Sequence, residues 1–332
     1  MTGSPGHRTR PPHVLITAAG RRTSLVRSFV EEAHRRHARV FAGDVDALAP
    51  ALDLADEAIR LVPTDDPAYI ADLLATVERH GIRLVIPTID ADLPILAGHC
   101  LTFLQLGCRV AVSSPSFIET TLDKHQTGVV FGGAGVHVPW SWLPPMVPNS
   151  NLPERVFAKP RRGSASQDQF HVAREELDGV LPLVPDPIVQ EVLIGSEITI
   201  DALFDFEGQP IHYVPRYRLR TLGGESVQGV TLEHDERIET WIERLLAVCS
   251  RLGAIGPLTI QAFETGGGLI LSEINPRFGG GFPLAHAAGG TYAAWLLDMV
   301  EGHAVAPRLR VYEPGLYMSR YNVEHFTRQL RW

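Results

Sequence analysis

The chain of 332 residues is long enough for two or three domains, and its 45% hydrophobic and 20% charged residues are ordinary for a globular protein. A formal net charge of −8 argues against nucleic acid as a partner bound through a general basic field. No apolar run has the length of a membrane span, and three cysteines without metal-binding spacing fit a reducing compartment. We therefore expect a cytoplasmic protein with no membrane partner and a disordered, proline-rich tail over residues 1–12.

The segment from residue 13 to residue 115 alternates apolar strands with amphipathic helices. The pattern predicts strands over 13–20, 38–46, 82–90 and 109–114, and helices over 21–37, 69–81 and 91–106. Such alternation is typical of a parallel α/β sheet. "AAGRR" follows the first strand, but it holds Gly20 alone where a dinucleotide fingerprint has three glycines. This predicts a Rossmann-like domain without a dinucleotide, whose first helix could still hold a small anion at its N-terminus.

The middle of the chain, residues 116–187, has a different pattern. A helix is predicted over residues 117–131, and it carries Lys124. Residues 138–153 are so rich in proline that we expect a connector without regular structure. "RVFAKP" and "QFHVA" then predict a β-hairpin with a small glycine and serine loop between its strands.

The last part of the chain, residues 188–332, begins with two predicted strands around Gly195. A further strand is predicted over residues 211–222. An amphipathic helix then begins near Asp235 and ends at Gly253, the residue type that most often closes a helix. A β-hairpin over residues 258–275 leads into a glycine-rich turn.

Only two of the thirty basic residues are lysines, Lys124 and Lys159, and all the others are arginines. Lys159 comes shortly before the loop of small residues, and backbone N–H groups in such loops can approach an anion closely. A compact ammonium group suits a confined phosphate site better than a guanidinium group does. The alternative for this loop is a solvated hairpin turn, and the motif alone leaves both interpretations open.

Two further polar stretches have both a functional and a structural interpretation. Thr88, Asp90 and Asp92 follow a predicted strand at the end where open α/β sheets bind ligands, but the acids also suit helix capping. Glu191 and Glu197 flank a glycine turn, where they suit an adenine amino group and ribose hydroxyls or form a polar hairpin rim. The residues alone leave these alternatives open.

The stretch "LILSEINPRFGGG" has the clearest chemical signal. Glu273 and Asn275 are two residues apart, so both point to the same face of a strand. Carboxylate and amide oxygens suit Mg²⁺, which proteins usually hold with few side chains together with phosphates. If the hairpin loop has three residues, Gln261 lies opposite Glu273, and if it has two, Glu264 takes that face. We prefer Gln261 and keep Glu264 as the alternative.

In this order the motifs resemble those of the ATP-grasp superfamily, in particular ligases similar to the large subunit of carbamoyl-phosphate synthase and to the ligase of pyrrolysine biosynthesis. The resemblance covers nearly the whole chain and rests on "LDKHQT", "FAKPRRGSAS", "VQEVLIGSEITID", "PRYRLRTLGGESVQGVT" and "IQAF…SEINPRFGGG". It implies an α/β and α+β fold with a Rossmann-like pre-ATP-grasp domain over 13–115. A lobe with a phosphate-covering hairpin over 116–187 and a C-terminal lobe with the adenine and metal sites over 188–332 would follow.

The resemblance also implies a role for each matching residue. Lys124, Lys159 and Arg277 are the expected catalytic residues. The expected ATP contacts are Lys124, Lys159, Gly163, Ser164, Ala165, Ser166, Gln190, Glu191, Val192 and Glu197. The expected metal ligands are Gln261, Glu273 and Asn275, and the expected substrate contacts are Thr88, Asp90, Arg216, Arg220, Glu225 and Arg277. Related proteins often have an acid in place of Gln261, so the number of metal ions, one or two, stays open.

The activity that the resemblance implies is that of an ATP- and Mg²⁺-dependent ligase. It would join the carboxylate of one small molecule to the amine of another through an acylphosphate, with amino acids as the expected substrates. The alternatives are an enzyme that uses bicarbonate, of the carboxylase or carbamoyl-phosphate type, and a non-catalytic nucleotide-binding module. We also expect a homodimer, because dimers are the commonest assembly, and a phosphate-covering hairpin that becomes ordered when nucleotide binds.

Overall fold

The computed structural model describes residues 10–144, 146–147, 152–163 and 168–332. Outside these ranges lie residues 1–9 of the predicted tail, residues 145 and 148–151 of the proline-rich segment, and Ser164, Ala165 and Ser166 of the predicted phosphate loop. The described ranges form three β-sheets. Among their helices, none combines the length and the apolar character that crossing a membrane requires.

The first sheet consists of five parallel strands, β1 (His13–Ile16), β2 (Val40–Asp44), β3 (Glu57–Arg60), β4 (Ile82–Ile86) and β5 (Arg109–Val110). Their order is β3-β2-β1-β4-β5. The accompanying helices are α1 (Thr23–Arg35), α2 (Tyr69–His80) and α3 (Asp92–Gln105), with a short 3₁₀ helix at Pro50–Leu54. The predicted Rossmann-like α/β architecture is confirmed. The sequence pattern missed β3 because that strand has no fully buried residue and therefore no apolar run.

The predicted helix over residues 117–131 is in fact two helices, α4 (Pro115–Thr121) and α5 (Lys124–Gly133). Asp123 separates them, because its backbone is extended and its carboxylate accepts hydrogen bonds from the N–H groups two and three residues further on. An aspartate in this position satisfies donors that the start of a helix leaves unpaired. Lys124 is therefore the first residue of a helix and not a residue in the middle of one.

The second sheet is antiparallel, with the strands β6 (Ser141–Trp142), β7 (Arg155–Pro160), β8 (Phe170–Ala173) and β9 (Pro187–Glu191) in the order β6-β9-β7-β8. The predicted hairpin of β7 and β8 is confirmed. The expectation of no regular structure over residues 138–153 was wrong, because β6 pairs with β9 between flanking prolines. A short helix, α6 (Leu177–Val180), lies between 3₁₀ turns at Arg174–Glu176 and Leu181–Leu183. Strand β9 spans the predicted boundary after residue 187, and the domain boundaries stay predictions.

The third sheet is antiparallel and has six strands, β10 (Ser196–Phe204), β11 (Pro210–Leu222), β12 (Glu225–Thr231), β13 (Gly256–Thr265), β14 (Gly268–Asn275) and β15 (Tyr317–Ser319). Their order is β14-β13-β10-β11-β12-β15. The helix α7 (Glu236–Leu252) precedes β13. As predicted, it begins after Asp235, whose carboxylate accepts two backbone N–H groups, and it ends at a left-handed Gly253.

Three elements near the C-terminus were not predicted: α8 (Phe282–Ala287), α9 (Tyr292–Val300) and β15. Helix α9 is apolar and buried around most of its circumference, so it has no amphipathic period for a sequence pattern to detect. Helix α8 has only six residues, and β15 only three. Their place in the fold depends on packing against the rest of the chain.

The hairpin of β13 and β14 decides which side chain faces Glu273. Its loop has two residues, Gly266 and Gly267, and not the three that we assumed in favour of Gln261. Gln261 nevertheless lies opposite Glu273, because the register shifts by one residue at Ser272. Such a bulge places two residues of one strand against one residue of its partner. The preferred pairing is therefore confirmed, but for a reason that the sequence did not contain.

The first sheet and the third sheet share one apolar core. Phe29 of α1 lies edge-on to Phe278, which follows β14, with the ring centroids 6.2 Å apart. Both rings are buried, and burial of each phenylalanine stabilises the fold by about 1.5–3 kcal/mol. This contact fixes the start of α1 beside the glycine-rich turn that follows β14.

Candidate active site

The two lysines of the chain, Lys124 at the start of α5 and Lys159 on β7, are both buried and are electrostatic neighbours. Nζ of Lys124 donates a hydrogen bond to the carbonyl oxygen of Gly163 at 2.8 Å. Burial lowers the pKa of Lys159 to about 8, and the nearby Lys124 adds to this effect, while Glu273 and Glu197 oppose it. A buried ammonium group that is short of negative charge would be stabilised by an anion such as a phosphate.

The loop after β7 is tied to the start of α5. Arg161 and Arg162 form ion pairs with Asp123 at 2.6 Å and 3.3 Å, and the backbone N–H of Lys124 donates to the carbonyl oxygen of Arg161. Gly163, where the described part of the loop ends, has a φ of 105°, which favours glycine. The two arginines of "KPRRG" are therefore structural anchors in this conformation, which distinguishes them from Lys159.

The predicted adenine-binding stretch lies at the end of β9. The side chain of Gln190 donates to the hydroxyl of Ser141 at 2.8 Å, and the carboxylate of Glu191 accepts the N–H of Trp140 at 2.8 Å. Both side chains therefore hold β6 and its neighbouring residues against β9. Val192 follows and is half-buried. Any adenine contact of this stretch would come from its backbone.

Glu197, the predicted ribose contact, lies on β10 and pairs with Arg218 of β11. It is also one of the carboxylates that act on the pKa of Lys159. Arg218 was not predicted, because three arginines alternate in "PRYRLR" and they differ only in where the pairing of β11 with β10 ends and in the irregular pairing of β11 with β12.

The three predicted metal ligands lie on one face of β13 and β14. Gln261 pairs in register with Glu273. Asn275 lies two residues further along β14, opposite Thr259. Asn275 is buried and Gln261 and Glu273 are half-buried. Oxygen donors from a carboxylate and amides, close to a buried lysine, suit an Mg²⁺ ion that bridges phosphates.

The carboxylate of Glu264, the alternative to Gln261, has partners other than the predicted metal ligands. Its carboxylate accepts the hydroxyl of Tyr217 at 2.8 Å and pairs with Arg237. It lies near the loop end of the hairpin, in register with Leu269. The structure therefore favours Gln261 as the neighbour of Glu273.

Arg277 connects the end of β14 with the first sheet. Its Nε and Nη2 atoms donate to the two carboxylate oxygens of Asp90 at 2.7 Å and 2.9 Å, a bidentate pair. Nη2 also donates to the side-chain oxygen of Asn275 at 3.2 Å. Two residues predicted to contact substrate are thus joined, and the guanidinium group of Arg277 is fixed next to a predicted metal ligand.

The remaining predicted substrate residues lie in different surroundings. Thr88 is buried, and its hydroxyl donates to the carbonyl oxygen of Ala18 at 2.7 Å, which holds the loop after β1. Arg216 is buried and pairs with Asp201 at 2.8 Å. Arg220 is exposed on β11. Thr88 borders the cavity described next, whereas Arg216 and Arg220 are not among the residues that line it.

A cavity of about 180 Å³ lies between the loop after β1, the start of α1 and the glycine-rich turn. Glu225, the last predicted substrate contact, lines it and pairs with Arg320 at 3.1 Å and with Arg21 at 3.7 Å. Arg320 also donates to the carbonyl oxygen of Gly280 at 3.2 Å. The sequence analysis missed Arg22 and Arg320. The one signal for Arg22 was its position at the start of the first helix, and Arg320 gave none.

Comparisons with known proteins agree with this arrangement. Residues 14–111 match the family model of the N-terminal domain of PylC-like proteins, and residues 184–322 match the model of an ATP-grasp protein in the biosynthetic pathway with the Ter operon. The chain belongs to the ATP-grasp superfamily. It is 26% identical over 286 residues to the formate-dependent phosphoribosylglycinamide formyltransferase of Parasynechococcus marenigrum (strain WH8102), a match over 80% of this chain and 70% of that protein.

Solved structures show the same fold for this ATP-grasp chain. The biotin carboxylase domain of Hydrogenobacter thermophilus 2-oxoglutarate carboxylase, a dimer in complex with MgADP, ADP and bicarbonate, is similar with a TM-score of 0.76 and 14% identity, over 93% of this chain and 74% of that one. The L-amino acid ligase from Bacillus licheniformis is similar with a TM-score of 0.69 and 17% identity, over 88% of this chain and 75% of that one.

The predicted family, fold class and enzyme class are therefore confirmed. The chain is an ATP-grasp ligase of the PylC-like type, an enzyme class that forms carbon–nitrogen bonds with ATP and Mg²⁺. Its own residues fit these cofactors. The buried Lys159 has a lowered pKa and lies close to Glu273, which shares one strand face with Asn275.

Proposed function

We propose that the protein forms an amide bond between the carboxylate of one small molecule and the amine of another, with amino acids as substrates. The observation that carries the proposal is a continuous series of groups. Lys159 and Glu273 are electrostatic neighbours, Glu273 shares a strand face with Asn275, and Asn275 bonds to Arg277. The series begins in a phosphate-type environment and ends at Arg277, whose charge acts on Arg22 in the wall of a cavity of small-molecule size.

In the first step, a carboxylate oxygen of the donor substrate attacks the γ-phosphorus of ATP. The bond from that phosphorus to the oxygen of ADP breaks, and an acylphosphate forms. Lys124 and Lys159 neutralise the phosphate charge, and Arg277 holds the donor carboxylate in line. Catalysis of this kind rests on positioning and on charge stabilisation.

In the second step, the amine nitrogen of the acceptor substrate attacks the acyl carbon. The carbon–oxygen bond to the phosphoryl group breaks, and phosphate leaves with the electron pair. The acceptor loses one proton to become a free amine before the attack and a second proton afterwards. Gln261, Glu273 and Asn275 would hold Mg²⁺, whose charge opposes the negative charge of the phosphates.

Product analysis with a panel of the standard amino acids, offered in pairs with ATP and Mg²⁺, tests this proposal. We expect ADP release that depends on both a carboxylate and an amine. When hydroxylamine replaces the amine, it should trap the acylphosphate as a hydroxamate. Absence of both ADP and hydroxamate with folded protein across the panel would contradict the amide-ligase activity.

The same assay separates the two alternatives. ATP hydrolysis that bicarbonate stimulates, without an organic carboxylate, would indicate an enzyme of the bicarbonate-using class. Nucleotide binding without turnover, in the wild type as well as in Glu273→Ala, would indicate a non-catalytic module. We also propose a homodimer, as in the Hydrogenobacter thermophilus domain, and sedimentation at micromolar concentration would detect it.

A further inference from the structure

One guanidinium group that lines the cavity at the start of α1, that of Arg22, has no partner among the residues that the structure describes. Arg22 is the residue directly before α1, is half-buried and lines the cavity. Its Nη1 atom lies beside Gly280, 3.5 Å from where a β-carbon at that position would be. Within the described ranges of the chain, the side chain of Arg22 donates no hydrogen bond and forms no ion pair.

The other charged groups around this cavity have partners. Arg277 is paired with Asp90, and Glu225 is shared between Arg320 and Arg21. Asp44, which lies behind the loop after β1, accepts the backbone N–H of Gly20 at 2.7 Å. No ion pair within the described residues therefore balances the positive charge of Arg22. This charge favours an anion in the cavity.

These surroundings also change the pKa of Arg22. Burial, and next the positive charge of Arg277, lower the pKa of Arg22 to about 10, although Glu225 acts in the opposite direction. An arginine in water keeps its proton far above this value. A carboxylate in the cavity would neutralise the positive charge of Arg22. A guanidinium group can bind both oxygens of a carboxylate.

The position of Arg22 indicates which substrate it meets. Arg277 bonds to the predicted metal ligand Asn275, and it is the strongest charged neighbour of Arg22. Arg22 is therefore next to Arg277, the last group of the series that begins at Lys159. The carboxylate to be phosphorylated must lie near the phosphates, so the space next to Arg22 belongs to the substrate that attacks from the opposite side.

We propose that the amine substrate is itself a small acid, an α-amino acid or a related amino carboxylate, and that Arg22 binds its carboxylate. This inference rests on the proposed amide-ligase function. The cavity of about 180 Å³ is smaller than the roughly 300–1,000 Å³ of pockets for drug-sized ligands, which fits a small acceptor. Arg22 is then a specificity residue for the acceptor and has no part in acylphosphate formation.

The first test compares each accepted amino acid with its carboxamide, which keeps the amine and loses the negative charge. The wild type should prefer the acid by about 10- to 150-fold in kcat/KM, the range for a hydrogen bond to a charged group. In Arg22→Gln this preference should fall to nearly one, with hydroxamate formation unchanged. Arg27→Gln, an exposed position on the same helix, is the matched control and should keep the preference.

Phenylglyoxal labelling read by mass spectrometry tests binding without turnover. Amino acids from the panel should protect Arg22 from the reagent, and their carboxamides should not. Equal protection by acid and amide, or no protection by any amino acid, would overturn the inference. A higher donor KM for Arg22→Gln in the hydroxamate assay would also overturn it, because Arg22 would then bind the donor. Protection without hydroxamate in the wild type would support this site and contradict the proposed function.

Discussion

The two ends of the site differ in how they are built and in how their charges are compensated. The phosphate end consists of strand and helix residues, in which Lys159 is an electrostatic neighbour of Glu273, Lys124 and Glu197. The cavity end combines a loop of the first sheet, the glycine-rich turn and a residue that follows β15, and Arg22 has no ion pair there within the described part of the chain. Groups on regular elements suit a reaction that needs fixed geometry, whereas groups on loops and element ends suit recognition of a particular substrate.

A metal ligand at the phosphate end should have the largest effect. Glu273→Gln keeps the shape of the side chain but removes the negative charge that faces Mg²⁺ and Lys159. We expect kcat for ADP release to fall by roughly 100- to 1,000-fold, the range for the loss of one charge-stabilising group. Glu264→Gln is the matched control on the same hairpin, because that carboxylate is bonded to Tyr217 and Arg237. Equal losses in both variants would contradict the assignment.

Lys159→Met should weaken ATP binding by about 10- to 150-fold, since a hydrogen bond to a charged group is lost. The same variant should raise the melting temperature of the nucleotide-free protein at pH 7, because burying an ammonium group costs free energy that a methionine side chain does not. Calorimetry with and without ATP measures both effects. A variant that is less stable without nucleotide would show that Lys159 is a structural cation.

The ion pair between Asp90 and Arg277 connects the two ends of the site, and a substitution of Asp90 breaks it. Asp90→Asn keeps one hydrogen bond to Arg277 but removes the opposite charge and the bidentate geometry. We expect a loss of roughly 10- to 100-fold in kcat, because small displacements of a positioning group are costly. Since Arg277 adjoins Arg22, the KM of the amine substrate should rise as well. A change in ATP affinity alone would contradict this link.

The lowered pKa of Lys159 predicts a pH dependence of nucleotide binding. Above pH 8 the ammonium group is neutral in the free protein, and ATP would have to draw in a proton to bind. Affinity should therefore fall by about tenfold from pH 7 to pH 9, with proton uptake visible in calorimetry with different buffers. Lys159→Met should abolish both the fall in affinity with pH and the proton uptake. Affinity that is constant over this range would contradict the prediction.

The same shift has a consequence for stability, with the opposite sign. The pKa of Lys159 lies below its usual value of 10.5 in the folded state, so the unfolded chain binds more protons between about pH 8 and pH 10.5. The contribution of Lys159 to the free energy of unfolding of the nucleotide-free protein should therefore rise with pH in this window, while the buried thiols of Cys108 and Cys249, whose pKa values burial raises, contribute in the opposite direction. The difference in the free energy of unfolding between the wild type and Lys159→Met should rise from pH 8 to pH 10, and denaturant titrations of both proteins measure it.

The phosphate end was predictable because each of its groups belongs to a short local motif. Glu273 and Asn275 share a strand face by their spacing, and the two lysines stand out in a chain rich in arginine. The pairing of Gln261 with Glu273 could not be derived, since it depends on a bulge at Ser272 that no turn rule contains. The break at Asp123 was readable in principle, because aspartate is a strong N-cap.

The cavity end could not be predicted, because its residues come from opposite ends of the chain. Arg22 precedes α1 and Arg320 follows β15, and only the packing of the first sheet against the third brings them near Glu225. Arg216 and Arg220 were expected there, but Arg216 is buried against Asp201, whereas Arg220 lies beyond the part of β11 that pairs with β10 and is exposed. A motif lists residue types, whereas register and packing decide which of them meet.

Isotope transfer during turnover tests most directly whether a substrate carboxylate is phosphorylated. The donor substrate is labelled with oxygen-18 in its carboxylate and turned over with ATP and the amine substrate, and the released phosphate is analysed by mass spectrometry. We expect one labelled oxygen in each phosphate and none in ADP, because the bond from the acyl carbon to the bridging oxygen breaks in the second step. Amide product accompanied by unlabelled phosphate would contradict this expectation.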